Sequence, residues 1–424
     1  MYQIEAASAL RKTARAARSR HGWSHVSRNV LALGCTSLLT DVSSEMVATV
    51  LPIYLVLYLG LTPLQFGLVD GLYHGVTALL RLVGGLASDR TRRHKEVAAA
   101  GYGVSALCKI GLVAVGGTWP LIATIVAIDR AAKGLRTAPR DALISLSSER
   151  DALATSFGVH RALDSAGAML GPLVALAILT AAPDAFDLVF VASFSVAVVG
   201  FGVLWLFVER VRGPDPPATT VGHLGVTVHS LLATRGFGAL TVAGSVVSLV
   251  TISDSFLYLI LQQRAGFGAG LFPLLYVGTA ACYLALAVPV GVLADRLGHR
   301  RTFLAGCLVL AVAYLVAAAP VGGTVNIVLC LVLLGGYYAM TDGVLMALAS
   351  SMLSSDVRGT GFAVLTTLSS MGRLVASFGF GAAWAAYGPT RPLLWFFTAL
   401  LGATVIAGVA LGRIPANGER QTIS

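Results

Sequence analysis

Twelve apolar stretches, each long enough to cross a lipid bilayer as a helix, constrain this chain more than any other feature. A spanning helix needs about 20 mainly apolar residues. Inside a bilayer the backbone polar groups must be paired within the protein, which leaves helices and closed barrels. A barrel shows short alternating segments, whereas these runs are continuous. We therefore predict an all-α membrane protein. Its twelve transmembrane helices are expected at 29–58, 64–88, 96–116, 119–138, 154–181, 187–208, 237–262, 270–294, 302–320, 325–350, 358–386 and 391–412.

Composition supports the membrane class. Of the 424 residues, 56% are hydrophobic and 12% charged, whereas soluble domains carry about 25% charged residues. All five cysteines fall inside apolar runs, which favours core packing over a disulfide framework or a metal site. No Gly-rich phosphate loop or metalloprotease motif is present, so we expect neither an enzyme nor a bound cofactor.

The distribution of basic residues predicts the orientation. The connections that would face the cytoplasm hold clusters such as Arg296, Arg300 and Arg301, whereas the opposite connections hold only Arg264 and Arg391. Under the positive-inside rule this places both termini in the cytoplasm and the chain in the inner (cytoplasmic) membrane.

The net charge of +10 does not form one patch, so no nucleic-acid partner is expected. The basic tail 1–28 is expected to lie on the anionic inner leaflet.

An internal repeat predicts two halves. Asp89 and Asp295 share a Gly-x-x-x-Asp-Arg pattern at an offset of 206 residues, and Phe157 and Phe362 share a second pattern at an offset of 205. Parallel six-helix repeats are a known transporter architecture. The proline-rich stretch 209–236 is typical of a linker, and we predict that it joins the two halves in the cytoplasm. We predict a half at 29–208, a half at 237–412 and a cytoplasmic tail at 413–424.

The repeated pattern suggests a conformational latch. Its Gly admits a neighbouring helix closely, and its Asp and Arg can pair where the helix reaches the cytoplasm; a simple topogenic charge cluster is the alternative. The latch residues are Gly85, Asp89, Arg90, Gly291, Asp295 and Arg296.

These two loops resemble the signature of the major facilitator superfamily, and the resemblance covers residues 29–412. It implies two six-helix halves around a central site, a small-molecule substrate, and a chain that works as a monomer. The first loop departs from the pattern, because Thr91-Arg92 stands where Leu297-Gly298 stands in the second.

Segments four and five carry further resemblances. Arg130 and Gly134 are similar to the superfamily's fourth-helix motif, in which proton-coupled members assign the arginine to proton transfer; the motif's glutamine is Lys133 here. The spacing in segment five resembles the antiporter motif of drug:proton exporters, although the motif's trailing Gly-Gly is absent. The residues that carry it are Gly158, Gly167, Gly171 and Pro172.

Ionisable residues inside apolar runs are the candidates for substrate or proton binding. Asp41 and Glu45 share a helical face about 18 Å into segment one, and two carboxylates there cannot both ionise freely. Asp254 lies inside segment seven.

Two further pairs are spaced by four residues. His160 and Asp164 form either a proton relay or a structural brace. Asp70 and His74 lie nearer the predicted outer end, where a gate role and a binding role are both open.

Together these features predict a secondary active transporter that works by alternating access, as a proton-coupled exporter (antiporter) of a small molecule. The alternatives are an importer or facilitator of a metabolite, an exporter of a metal ion or metal chelate and, more distantly, a membrane-embedded enzyme or sensor.

Overall fold

The computed structural model of the chain describes residues 26–91, 93–149, 152–211, 230–319, 323–353 and 357–412. Most of the predicted N-terminal tail and linker, and the whole predicted C-terminal tail, lie outside the described residues. The helices are α1 Arg28–Ile53, α2 Pro63–Thr91, α3 His94–Ala114, α4 Trp119–Leu146, α5 Leu153–Ala181, α6 Phe186–Phe207, α7a Arg235–Ser248, α7b Asp254–Ala265, α8 Pro273–Leu297, α9 His299–Ala318, α10 Thr324–Met352, α11 Arg358–Tyr387 and α12 Thr390–Gly412.

The membrane prediction is confirmed in its main features. Nine of the described helices are long and apolar enough to cross a membrane, namely α1, α3, α5, α6 and α8 to α12. The apolar runs of α2 and α4 also hold several charged side chains, and α7a and α7b occupy one predicted segment between them. The chain is thus an all-α membrane protein whose helix count agrees with twelve spans.

Two segments differ from the prediction. Helix α4 runs eight residues beyond the predicted end at 138, because Pro139 is accommodated inside the helix. The segment predicted as one helix at 237–262 is interrupted between Ser248 and Asp254. The apolar content of a segment indicates its affinity for lipid. It does not reveal a local break in the helix when other side chains pair with the freed backbone groups.

The helices begin and end where local chemistry allows. Helices α2 and α8 start at Pro63 and Pro273, positions at which the missing proline N–H has no partner in a helix anyway. Ser27 caps α1 by accepting a hydrogen bond from the Val30 N–H at 3.3 Å. Gly298 joins α8 to α9 with φ of 95°, a left-handed conformation that favours glycine.

The chain divides into two compact units. Unit 1 comprises Met1–Leu61, Val76–Asp215 and Phe267–Val277; unit 2 comprises Thr62–Gly75, Pro216–Gly266 and Gly278–Ser424. Unit 2 therefore includes the first part of α2, and unit 1 includes the start of α8, which the predicted halves did not separate. The exact boundaries of the two halves stay a prediction.

Small residues set the helix packing inside each unit. In unit 1, a Cβ on Gly134 would lie 2.6 Å from the Thr77 carbonyl oxygen, so α2 and α4 pack with their backbones in contact. In unit 2, a Cβ on Gly372 would lie 2.9 Å from the Ser248 side chain, which fixes α11 against α7a. Many large apolar side chains remain exposed on the outer faces of both units, among them Leu206 and Val325, as a lipid-facing surface requires.

Candidate functional site

The turn of α1 that carries Asp41 and Glu45, here called the acidic turn, faces Lys133 of α4. Lys133 Nζ lies 4.0 Å from Asp41 Oδ1 and 4.0 Å from Glu45 Oε1. The side chains of Asp41, Glu45 and Lys133 are 14%, 26% and 27% exposed, respectively. A charged group midway along an apolar helix is tolerated where it faces water or other protein groups. This turn is therefore a partly open ionic site inside unit 1.

A third carboxylate, from α5, joins the same site. The carboxyl groups of Asp41 and Asp164 lie close enough to interact with one another. On its other side Asp164 Oδ1 lies 3.5 Å from a guanidinium nitrogen of Arg140, which also donates to Ser37 Oγ at 3.2 Å. The structure thus brings together Asp41, Glu45 and Asp164, and balances them against Lys133 and Arg140.

The glycines of α5 hold this helix tightly against the acidic turn. A Cβ on Gly171 would lie 2.7 Å from Glu45 Cβ and 2.7 Å from the Val42 carbonyl oxygen, and a Cβ on Gly167 would overlap the Leu38 carbonyl. Pro172 lies inside the helix and Gly158 near its start. The motif predicted on α5 therefore packs directly against the backbone that carries Glu45.

Arg130 belongs to a separate, more deeply buried cluster. Both Arg130 and Lys109 pair with the Asp129 carboxylate, which also accepts a hydrogen bond from Ser105 Oγ at 2.6 Å. The structure places the predicted proton-transfer arginine against this carboxylate and not in the acidic turn. Its transport role stays a prediction.

His160 is fully buried on α5, one turn from Asp164. Neither of its ring nitrogens has a hydrogen-bond partner among the residues that the structure describes, whereas Asp164 pairs with Arg140. The choice between a relay and a brace for this pair stays open.

In unit 2 the break in α7 forms a second polar site. The hydroxyl of Tyr314, on α9, accepts a hydrogen bond from the Ile252 N–H at 2.7 Å and donates one to the Val250 carbonyl at 3.3 Å. Two backbone groups freed by the break are thereby satisfied. Asp254 opens α7b, and both of its oxygens lie in hydrogen-bonding range of the Tyr338 hydroxyl, at 2.9 and 2.8 Å.

Asp70 lies in unit 2 beside this break. Its Oδ1 accepts a hydrogen bond from Ser253 Oγ at 2.9 Å, and its Oδ2 accepts one from Ser377 Oγ at 2.7 Å. His74 Nε2 lies 4.0 Å from Oδ2; His74 is 29% exposed and Asp70 only 6%.

The latch pattern is only partly described. Gly85, Asp89 and Arg90 lie in α2, but their side chains are outside the described residues. In the second copy Asp295 pairs with His299 at 3.3 Å, and the space beside Gly291 is open. Arg296 lies in the last turn of α8. The latch therefore stays a prediction.

Sequence reasoning missed the partners that complete these sites. Lys133 stands at the glutamine position of a motif, and its spacing from Asp129 predicts a charged face of α4, but neither feature predicted its acidic partners on α1. Tyr338, Ser253, Ser377 and Tyr314 carried no signal of their own, because hydroxyls are frequent in membrane helices and only the packing selects the ones that act.

The helical architecture is shared with solved transporters. The chain aligns with the nucleoside transporter NupG at a TM-score of 0.75 and 14% identity, covering 91% of this chain and 99% of that one. It aligns with a bacterial homolog to the human lysosomal transporter Spinster at a TM-score of 0.72 and 14% identity, covering 92% and 98%. At these identities the likeness concerns the fold.

Sequence comparison identifies the family. The chain is 30% identical over 372 residues to the "Uncharacterized MFS-type transporter MJ1317" of Methanocaldococcus jannaschii, covering 85% of this chain and 89% of that protein. It is 25% identical over 401 residues to the "Uncharacterized protein Rv2265" of Mycobacterium tuberculosis, covering 91% and 90%. The family model of the Major Facilitator Superfamily matches residues 33–377 and again residues 255–423. The chain therefore belongs to the Major Facilitator Superfamily and is a membrane transporter, not an enzyme.

Proposed function

We propose that this transporter is a proton-coupled exporter, an antiporter that exchanges a small molecule for protons. The observation that carries the proposal is the grouping of three carboxylates beside Lys133 and Arg140, in which Asp41 and Asp164 lie close enough to interact. Two carboxyl groups this close repel when both are ionised and are stabilised when they share one proton. The pair is therefore suited to bind and release a proton during transport.

The charge balance around the pair explains an exchange. With all groups ionised, Asp41 and Glu45 carry two negative charges against the one positive charge of Lys133, because Arg140 is shared between Asp164 and Asp141. One proton on the carboxyl pair neutralises the site. A positively charged group on a substrate would neutralise the same excess charge, so proton and substrate compete. This competition favours a cationic small molecule as the substrate.

The packing of α5 supports an antiporter in particular. Gly171 and Gly167 hold α5 against the backbone of the acidic turn, so a movement of α5 changes the distance between Asp164 and Asp41. A shift of α5 relative to α1 would then separate the two carboxyl groups or bring them together. The proton affinity of the pair would therefore differ between the conformations of the transporter.

The test uses purified protein in liposomes that contain a pH-sensitive dye. A panel of organic cations is added outside with and without a pH gradient, and proton movement is followed together with uptake of each cation. We expect at least one cation to drive proton movement in the opposite direction. The Asp41→Asn variant should lose at least about tenfold of this coupled proton movement, because a neutral amide cannot share a proton with Asp164. A tenfold change in proton affinity corresponds to about 1.4 kcal/mol.

The matched control is Asp184→Asn, the same chemical change in a loop residue with positive φ that asparagine also tolerates. It should behave like the unmodified protein. Transport that runs at the same rate with and without the pH gradient would contradict proton coupling. Movement of proton and substrate in the same direction would replace the antiporter with an importer.

A further inference from the structure

The first part of α2 is fastened to the α7 break and to α11 by one buried carboxylate. Each oxygen of Asp70 receives a hydrogen bond from a different element, Ser253 at the break and Ser377 on α11. Hydrogen bonds to a charged acceptor are shorter and stronger than those between neutral groups. A single side chain therefore ties three elements of unit 2 together.

Ser253 links this carboxylate to the geometry of the break. Its Oγ accepts a hydrogen bond from the Ser255 N–H at 3.3 Å and so caps α7b, while its hydroxyl proton goes to Asp70. If Asp70 moved away, the same hydroxyl would lose its acceptor beside the first turn of α7b. The position of α2 and the start of α7b are thus coupled.

Backbone contacts reinforce the attachment. A Cβ on Gly67 would lie 2.6 Å from the Ser377 carbonyl oxygen and 3.2 Å from Gly381 Cα, and a Cβ on Gly71 would lie 3.0 Å from the Leu374 carbonyl oxygen. Helices in such contact gain their stability from close packing, since lipid supplies no hydrophobic drive between them. This packing is lost at once if the helices separate.

An aromatic cluster covers one side of the carboxylate. Phe66 packs edge-on against Phe256 with 4.8 Å between ring centroids, and Phe256 contacts Phe380 at 5.0 Å and Trp384 at 5.7 Å. Phe66 precedes Asp70 by one turn, and the other three rings follow Ser253 and Ser377 along their helices. With the predicted orientation, the cluster lies between Asp70 and the outer surface.

The opposite side of Asp70 is more open. His74 lies one turn further along α2 and is 29% exposed, against 6% for Asp70. Asp70 also interacts electrostatically with Asp254 on α7b, which in turn interacts with Arg373 on α11 and Asp342 on α10. Asp70 is thus nearly buried, and the partly exposed side chain next to it on α2 is His74.

We propose that Asp70, Ser253 and Ser377 form a latch of their own, distinct from the predicted Gly-x-x-x-Asp-Arg latch. This latch holds the aromatic cluster closed at the outer end of the transport path, and its release is a step of the transport cycle. Only the second part of the proposal, that release of the latch is a step of the transport cycle, rests on the proposed function. The first part concerns the protein alone and needs no substrate.

Hydrogen–deuterium exchange of the full-length protein in lipid nanodiscs tests the latch. In Asp70→Asn one oxygen is replaced by an amide nitrogen and the charge is lost. Exchange of backbone amides in 62–75 and 249–257 should then rise at least about tenfold. Asp184→Asn, the same change in a loop of unit 1, should leave these two segments unchanged. Equal exchange of 62–75 in Asp70→Asn and in the unmodified protein would overturn the proposal.

A second variant guards against general destabilisation. Amides of α6 report on the fold of unit 1, which the latch does not touch. If exchange in α6 also rises in Asp70→Asn, Ser377→Ala decides: a smaller rise confined to 62–75 supports the latch, and no rise overturns it. The double variant should exchange no faster than Asp70→Asn alone, because both changes remove one contact.

The transport readout separates the two proposals. Absence of proton-coupled transport in the unmodified protein would overturn the proposed function but leave the exchange result standing. If coupled transport is present and Asp70→Asn transports and couples like the unmodified protein, the latch is not a step of the cycle.

Discussion

At the scale of single residues, the buried charges of this transporter are tolerated because they lie against partners. An ionised side chain at the middle of a membrane helix costs about 2.5–3.5 kcal/mol on insertion scales. Lys109 and Arg130 share the Asp129 carboxylate, and the Arg136 guanidinium lies 4.5 Å from the centroid of the Tyr102 ring, a favourable cation–π arrangement. The acidic turn differs, because its lysine stands 4.0 Å from both carboxylates and the site is partly open.

Gly171→Ala is expected to destabilise the protein. The added Cβ would meet Glu45 Cβ and the Val42 carbonyl oxygen at 2.7 Å, and the backbone of α1 cannot yield as a flexible side chain would. We expect a loss of about 1–3 kcal/mol, typical of overpacking, measured by thermal unfolding in detergent. Gly202→Ala is the control, since its Cβ would meet nothing within 4 Å. A change no larger than that of Gly202→Ala would show that α5 can move away from the turn without cost.

Tyr314→Phe is expected to weaken the α7 break. The change keeps the ring and removes only the hydroxyl, which leaves the Ile252 N–H and the Val250 carbonyl without this partner. Burying such groups unpaired costs about 1–3 kcal/mol, so the melting temperature should fall. Tyr387→Phe, on a residue that is 54% exposed, is the matched control. Equal melting temperatures for the two variants would mean that another group takes over the hydroxyl's role.

At the scale of elements, α4 and α7 depart most from simple apolar helices. Helix α4 extends to Leu146 with Pro139 inside it. Its charged residues reach more than one site, since Arg130 pairs with Asp129 and Lys133 faces the acidic turn. Segment α7 is divided, and the break exposes backbone groups that a continuous helix would satisfy by itself. Broken helices in transporters occur where irregular backbone is buried in protein or lines a cavity. Both elements therefore combine polar groups with irregular helix geometry.

The α3–α4 pairing predicts a clear order of stability. Asp129→Asn removes the common partner of Lys109 and Arg130 and leaves two buried cations uncompensated. Breaking a buried pair in this way typically costs about 3–5 kcal/mol. Lys109→Met removes one cation and leaves Asp129 paired with Arg130, so it should cost less. Chemical or thermal unfolding of the two purified variants measures the order, and a reversed order would contradict the assignment of Asp129 as the shared partner.

At the scale of the whole molecule, the exposed side chains match a chain embedded in lipid. Leu206, Val325 and Val405 are among the most exposed large residues, which would be unfavourable for a soluble protein. Asp41, Lys133, Arg140 and Asp164 instead face one another where α1, α4 and α5 meet in unit 1.

The predicted orientation is testable with two cysteines and a fusion. A fluorescent protein fused to the C-terminus should fold and fluoresce, as it does in the cytoplasm. In intact cells, Asp184→Cys, between α5 and α6, should react with a membrane-impermeant maleimide, and Glu209→Cys, after α6, should not. The unmodified chain gives the background, since its cysteines lie in apolar helices. Labelling at Glu209→Cys and not at Asp184→Cys would reverse the orientation.

The sequence by itself determined the helix positions and several of the candidate site residues. The helix positions follow from it because the free energy of transfer into lipid adds up along a segment. Nine of the twelve predicted segments appear as single helices with ends within about one turn of those predicted. Asp41, Glu45, Asp70 and Asp254 were also recognisable as candidates, since a charge in an apolar run needs a reason.

Tertiary structure alone decided what these candidates contact. Asp164 meets Asp41 from another helix, Lys133 stands between Asp41 and Glu45, and Asp70 is held by hydroxyls 183 and 307 residues away. The break in α7 is satisfied by Tyr314, 62 residues from Ile252. Helical periodicity says which side chains share a face, but which faces meet depends on small residues that let backbones approach. For this reason the sequence predicted a transporter, and only the packing showed which of its carboxylates lie close together.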